Sequence, residues 1–259
     1  MQDSSAPRAA VSRSPLLVFD FDGVLVDGMA EYWWAARQAV LLLAPDLLLP
    51  EQAPPGFAAL RPLIHKGWEM VLMAAELARP QLDLQALLAG YAQALPAALA
   101  RWGWTAPQLQ RTLEQVRSGA IATDLQAWLA LHRFYPGVEA RLRQFGAEGA
   151  DWVVLTTKGA AFARQILAGA NLQPRALFGH EQGSKPEVLA RLLGEGRPLW
   201  FVEDRRPTLE QVRSQPLLDP VRCYLVTWGY LGPADGLNLP AGIRRLTPEQ
   251  FAAPLATWP

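Results

Sequence analysis

The sequence predicts an α/β protein, a parallel sheet flanked by helices, with an all-helical block inserted after the first strand. Three observations predict it. Apolar runs such as Leu16-Leu17-Val18-Phe19 and Leu199-Trp200-Phe201-Val202 lack polar alternation, as strands buried on both faces do. From Tyr135 onward such runs alternate with helical patterns, which is the signature of βαβ units. Between Ala30 and Leu131 the character changes: Ala, Leu, Gln and Trp dominate, and β-branched residues are scarce.

Taken in order, the first strand is 16–19 and runs into Asp20-Phe21-Asp22-Gly23-Val24-Leu25-Val26-Asp27-Gly28. Helices are expected at 30–43, 60–78, 84–102 and 107–132. Breaks fall at Pro45, Pro50, Pro54-Pro55, Pro80 and Gly103, and Pro96 is expected to kink or split the third helix. After Tyr135-Pro136-Gly137, helices at 138–145, 162–170, 186–193 and 209–213 alternate with strands at 152–155, 175–178, 199–202 and 222–226. The segment 246–251 reads as a short strand and a turn in which Thr247 precedes Pro248, a good helix start. The architecture is therefore a Rossmann-like parallel-sheet core at 16–30 and 133–259 with an inserted all-helical cap domain at 31–132. Residues 1–15, rich in Ser, Ala and Arg, read as a flexible tail.

Composition narrows the function. With 51% hydrophobic and 19% charged residues the chain is globular. Twenty-four acidic and 24 basic residues leave no net charge, which argues against nucleic acid or a membrane surface as partner. The longest apolar stretch, 39–49, is broken by Pro45 and Asp46 and is too short to span a bilayer. The single cysteine, Cys223, lies in an apolar run, reads as a small buried residue, and fits a reducing, cytoplasmic setting. Oligomeric state is not legible.

In an open α/β sheet, ligands bind outside the carboxyl ends of the strands. Here those ends carry Asp20 and Asp22, then Thr156-Thr157-Lys158, then Glu203-Asp204, with Lys185 just before a helix. Two carboxylate clusters, a hydroxyl and an ammonium on one rim suit metal-assisted phosphoryl transfer. That chemistry needs a nucleophile, oxygen ligands for a hard cation, and donors for phosphate oxygens.

The chain resembles the haloacid dehalogenase superfamily, in its phosphatase branch with a helical cap. The resemblance rests on Asp20-Phe21-Asp22-Gly23-Val24-Leu25-Val26-Asp27, Leu155-Thr156-Thr157-Lys158, Gly183-Ser184-Lys185-Pro186-Glu187 and Phe201-Val202-Glu203-Asp204, in the family's order. Tyr135-Pro136-Gly137-Val138 and Thr227-Trp228-Gly229-Tyr230 are similar to phosphoglycolate-phosphatase-like members. The resemblance implies that Asp20 attacks phosphorus and that Asp22 serves as general acid and base. It implies Mg²⁺ held by the Asp20 side chain, the Asp22 main-chain carbonyl and Asp204. Thr156 and Lys185, with Thr157 alongside, are expected on the phosphoryl oxygens of a small phosphorylated metabolite. Two rival readings share the fold: a sugar phosphomutase with the same machinery, and a non-catalytic phosphometabolite-binding protein.

One position departs from the family's pattern. Thr208 stands where a second acid is common, in Asp204-Arg205-Arg206-Pro207-Thr208, so Glu203 is a further metal candidate through a bound water. Arg205 and Arg206 are expected to pair with Glu203 or face solvent. In the cap, Arg61 and His65 are four residues apart and would share a helix face. Arg61 is a substrate-binding candidate that would read an acidic leaving group; the other reading is a solvated face. Asp27 is expected to fix the turn after the first motif by local hydrogen bonding.

Overall fold

The computed structural model describes residues 14–259. The expected tail thus lies outside the described residues except for Ser14 and Pro15, whose carbonyls accept from the Arg197 guanidinium at 3.0 and 3.1 Å. The chain begins with β1 (Leu16–Phe19) and β2 (Val26–Asp27). Six helices follow: α1 (Met29–Leu43), α2 (Pro55–Leu60), α3 (Gly67–Leu77), α4 (Leu84–Ala89), α5 (Tyr91–Trp102) and α6 (Ala106–Leu129). It returns through β3 (Arg133–Phe134), then α7 (Val138–Gln144), β4 (Asp151–Leu155), α8 (Ala160–Gly169) and β5 (Ala176–Phe178). The remaining elements are α9 (Lys185–Leu193), β6 (Leu199–Glu203), α10 (Arg206–Arg213), β7 (Arg222–Val226), β8 (Ile243–Leu246) and α11 (Pro248–Ala252).

Six strands form one parallel sheet in the order β5-β4-β1-β6-β7-β8. Alternate side chains serve opposite faces. Leu17, Phe19, Trp152, Val154, Trp200, Val202, Tyr224 and Val226 pack into one apolar cluster. Leu16, Val18, Val153, Leu155, Phe201, Cys223 and Leu225 pack into another. This two-sided burial is why the strand sequences show no polar alternation. The helical block has a third cluster of its own, centred on Trp33, Phe57, Leu72, Met73 and Leu113. At its base β2 pairs antiparallel with β3, Val26 opposite Phe134 and Asp27 opposite Arg133, so the outgoing and returning chains are fastened together.

Several helix expectations are corrected. The helix expected over 60–78 is interrupted: Arg61–Leu63 is a 3₁₀ turn, Ile64 is extended, and α3 starts only at Gly67. Glu69 causes the restart, because its carboxylate accepts from the main-chain N–H groups of His65 and Lys66 at 2.9 and 3.2 Å. Arg61 and His65 therefore do not share a helix face. The helix expected over 84–102 divides at Gly90, whose φ of −117° and ψ of 31° are non-helical, and α5 runs through Pro96. Glycine gives way more readily there than the helix around Pro96 does. α6 bends at Asp124 (φ −153°, ψ 91°), whose carboxylate accepts from Ala127 N at 2.9 Å and so starts the last turn afresh. The bend sends Trp128 into the core of the sheet domain.

The C-terminal segment closes the sheet, with its strand at Ile243–Leu246, earlier than the expected 246–251, and the capped turn where expected. β8 joins β7, and Thr247 and Gln250 exchange capping hydrogen bonds at 3.2 and 2.9 Å.

Candidate active site

β1 lies at the point where strand order reverses, with β4 on one side and β6 on the other. A crevice opens at the carboxyl end of such a switch point. Asp20 leaves β1 there, Thr156 leaves β4, and Glu203 and Asp204 leave β6. Lys185 reaches the same point from the first turn of α9. Ser184 starts that helix and is itself held by Glu187, which accepts from both its N–H and its hydroxyl at 2.8 Å.

Oxygens of Asp20, Glu203 and Asp204 lie within 4.8 Å of one another, and all three residues are buried. Lys185 Nζ stands 2.8 Å from Asp20 Oδ1 and 2.6 Å from Glu203 Oε2. The other Glu203 oxygen accepts from the main-chain N–H groups of Asp204 and Arg205, both at 3.1 Å. Asp204 Oδ2 accepts from Tyr230 N at 2.8 Å. One ammonium thus balances three crowded carboxylates. Burial, and then the charge of Glu203, push the Asp20 carboxyl up to about 7 although Lys185 pulls it down. Burial, Glu203 and Asp20 raise Asp204 well above the usual range. Burial works against the charge of Lys185, but Asp20 and Glu203 outweigh it and raise its value.

The loop from Phe21 to Asp27 folds tightly over this cluster. Gly23 has φ +91°, and a Cβ there would run into the Asp204 carboxylate. A Cβ on Gly229 would strike Gly23 O and Asp204 Cβ. Glycine is needed at both positions because two backbones and a carboxylate meet there. Asp27 Oδ1 accepts from Met29 N at 3.0 Å, the local bond expected of it, and also from the Tyr230 hydroxyl at 2.7 Å.

Asp22 faces the helical block. A cavity of about 40 Å³ lies between it and that block, lined by Asp22, Tyr32, Arg61, Arg117, Thr157 and Lys158 among others. Thr156 is buried, and its Oγ1 accepts from Lys158 N at 3.1 Å. Thr157 is exposed at the cavity wall. The Arg61 guanidinium is stacked 4.1 Å from the ring centroid of Tyr230 and 5.0 Å from that of Tyr32.

Lys158 is a residue the sequence reading passed over as a site candidate. It is buried, with Nζ 3.5 Å from Asp22 Oδ1 and 4.0 Å from Glu31 Oε2. Burial lowers its value, partly offset by Asp22. Glu31 and Arg117, on α1 and α6, form a buried two-pronged ion pair at 2.7 and 2.8 Å beside it. Burial alone would raise Glu31, yet Arg117 and Lys158 hold it down at about 2. A lysine following two threonines was the only signal for Lys158; nothing in sequence spacing joins Glu31 to Arg117.

Of the two alternatives for the arginines after Asp204, pairing with Glu203 is not seen, and both side chains are partly exposed. The Arg205 side chain reaches His65 in the helical block, Nη1 to Nδ1 at 3.1 Å. Arg206 donates to Glu210 at 2.7 Å and to the carbonyls of Leu237 and Asn238. Neither side chain pairs with Glu203, because Lys185 already occupies that carboxylate. Thr208 is buried in α10.

The donor set fits a divalent cation of the hard kind. It is all oxygen, it is buried, and its negative charge exceeds what Lys185 supplies.

No family model matches the sequence, and no curated protein matches it. Solved structures do match. A predicted phosphoglycolate phosphatase from Haemophilus somnus superposes with a TM-score of 0.58 at 18% identity, over 93% of this chain and 96% of that one. A predicted phosphatase from Clostridium acetobutylicum gives 0.59 at 15%, over 90% and 94%. A haloacid dehalogenase-superfamily hydrolase of subfamily IA from Geobacter sulfurreducens gives 0.51 at 17%, over 91% and 93%. At these identities the likeness is one of fold: a Rossmann-like parallel-sheet core with a helical cap.

Proposed function

We propose that the chain is a Mg²⁺-dependent phosphatase acting on a small phosphorylated metabolite. The observation that carries this reading is the buried meeting of Asp20, Glu203 and Asp204 at the switch point, with Lys185 bonded to the first two. The fold shared with solved structures of a predicted phosphoglycolate phosphatase and a predicted phosphatase supports it.

Asp20, Asp204 and the Asp22 main-chain carbonyl would hold Mg²⁺, with Glu203 beside them. When bound, the cation supplies positive charge that lets a dianionic phosphate approach these carboxylates. Asp20 attacks phosphorus as the bond to the leaving oxygen breaks, forming an aspartyl-phosphate. Asp22 gives its proton to the leaving oxygen, then takes one from the water that attacks the phosphoenzyme and frees Asp20. Lys185 and the Thr156 hydroxyl donate to the phosphoryl oxygens. The Thr156 oxygen already accepts from Lys158 N, so its own proton is available for this. Thr157 and Arg61 line the leaving-group side, where the buried Arg61 Nε has no hydrogen-bond partner and favours an acidic group. The helices over the cavity exclude water from the transfer.

The test is phosphate release from a panel of phosphorylated metabolites, with Mg²⁺ and with chelator, for the wild type and Asp20→Asn. Chelator-sensitive turnover lost in the variant is expected. A folded, Mg²⁺-binding protein that releases no phosphate would refute the phosphatase reading. Turnover that needs a bisphosphate activator would indicate a mutase.

A further inference from the structure

Tyr230 lies in the loop after β7 and touches three separate parts of the molecule. Its main-chain N–H donates to Asp204 Oδ2 at 2.8 Å. Its hydroxyl donates to Asp27 Oδ1 at 2.7 Å and accepts from Gly28 N at 2.8 Å. Its ring carries the Arg61 guanidinium at 4.1 Å and meets the Tyr32 ring at 6.1 Å. Asp27 ends β2 and Gly28 precedes α1, so the hydroxyl grips the chain where it passes into the helical block. Arg61 and Tyr32 belong to that block and line the cavity above Asp22.

We propose that Tyr230 is a positioning residue that couples the acidic centre to closure of the helical cap. The proposal rests on the core-and-cap reading given above, but its test does not require turnover or metal. Asp204 fixes the main chain of Tyr230. That fixes the phenol, and the phenol fixes both the hinge at Asp27-Gly28 and the Arg61 side chain on the leaving-group side.

The parts around the phenol leave little freedom. A Cβ on Gly28 would come within 2.7 Å of Tyr32 Cζ, so the hinge backbone packs directly on the ring of Tyr32. Gly229, just before Tyr230, accepts no Cβ because Gly23 O and Asp204 are there. A shift of Asp204 is therefore passed to Tyr230 and on to the hinge. Coupling of this kind is reciprocal: whatever holds Asp204 in place favours closure, and closure holds Asp204 in place.

A double-mutant cycle read by hydrogen exchange tests this. Peptides covering 24–34 are followed in the wild type, Tyr230→Phe, Asp204→Ala and the double variant. Tyr230→Phe keeps the ring and the main-chain N–H and removes only the hydroxyl. Exchange across Gly28 and the start of α1 is expected to quicken about tenfold in either single variant. In the double variant it should be no faster than in Tyr230→Phe alone. Peptides over β6 and β7 should be unchanged, which separates hinge release from general unfolding. Additive acceleration would overturn the coupling. Unchanged hinge exchange in Tyr230→Phe would overturn it alone, even if Asp204→Ala does not fold. Failure of the phosphatase assay would refute the catalytic reading and leave this cycle to be decided on its own result.

Discussion

The ammonium of Lys185 lies 2.8 Å from Asp20 Oδ1, and it shares itself with Glu203 Oε2 at 2.6 Å. It is thus the counter-charge for two acids in a site too dry to tolerate either unpaired. Lys185→Met should leave Asp20 harder to ionise and remove a donor to the phosphoryl group. The expected result is a fall in kcat of about 10²–10³, with the acidic limb of the pH–rate profile displaced to higher pH. A profile whose limb does not move would show that Lys185 does not set the Asp20 charge state.

Asp20 also has a cost in the cation-free protein. Its folded value, about 7, is above its ordinary value of 3.8. The folded state therefore holds the proton more tightly, and the stability this gives is full below about pH 4 and lost as pH rises through 7. Asp20→Asn in chelator should match or exceed the wild type in Tm at pH 8, with a smaller advantage at pH 5. Mg²⁺ should raise the wild-type Tm more than that of the variant. Thermal melts at the two pH values check the sign.

Lys158 is buried 3.5 Å from Asp22 Oδ1, and among the described residues no other cation lies within salt-bridge reach of Asp22. It holds the carboxylate that would protonate the leaving oxygen. Lys158→Met should lower kcat by about 10–10² and alter KM less, because the contact orients a catalytic group. Steady-state kinetics on the best substrate separate the two terms; a change confined to KM would make Lys158 a substrate contact instead.

Glu31 and Arg117 join α1 to α6 across the cap, both buried. Removing one member leaves the other charge buried and unpaired, so Glu31→Gln should cost about 3–5 kcal/mol. The folded value of Glu31 is depressed from 4.5 to about 2. Its contribution is therefore present above about pH 4.5 and lost as pH falls toward 2. Urea melts of wild type and variant should differ most at neutral pH and converge in acid.

Gly23 has φ +91°, and a side chain there would meet the Asp204 carboxylate. Gly23→Ala should displace Asp204 and weaken Mg²⁺ binding at least tenfold, roughly the effect of disturbing a ligand's supporting contacts. Calorimetric titration reads this directly. Unaltered affinity would remove Asp204 from the proposed ligand set.

Much of the fold was legible because local rules were enough. Leu16-Leu17-Val18-Phe19 and Phe201-Val202 are uniformly apolar since both faces of the sheet are covered, and the strand ends follow from where the apolar runs stop. The helix ends were less legible. The break at 64–66 depends on Glu69 folding back onto His65 and Lys66, and the bend at Asp124 depends on a single side chain capping its own helix. Propensity averaged over a window does not register such individual hydrogen bonds.

The sequence by itself determined that Asp20, Thr156, Glu203 and Asp204 stand at the ends of strands, because a run of apolar residues must end where the chain leaves the sheet. It also determined that a helical block follows the first of those ends. Tertiary structure alone decided which charges meet. Lys185 on Glu203, Lys158 on Asp22 and Glu31 on Arg117 are pairs separated by 18 to 136 positions. Their meeting follows from strand order and from how the cap sits on the core. Coulomb interaction in a dry crevice acts on distance through space, which sequence separation does not encode.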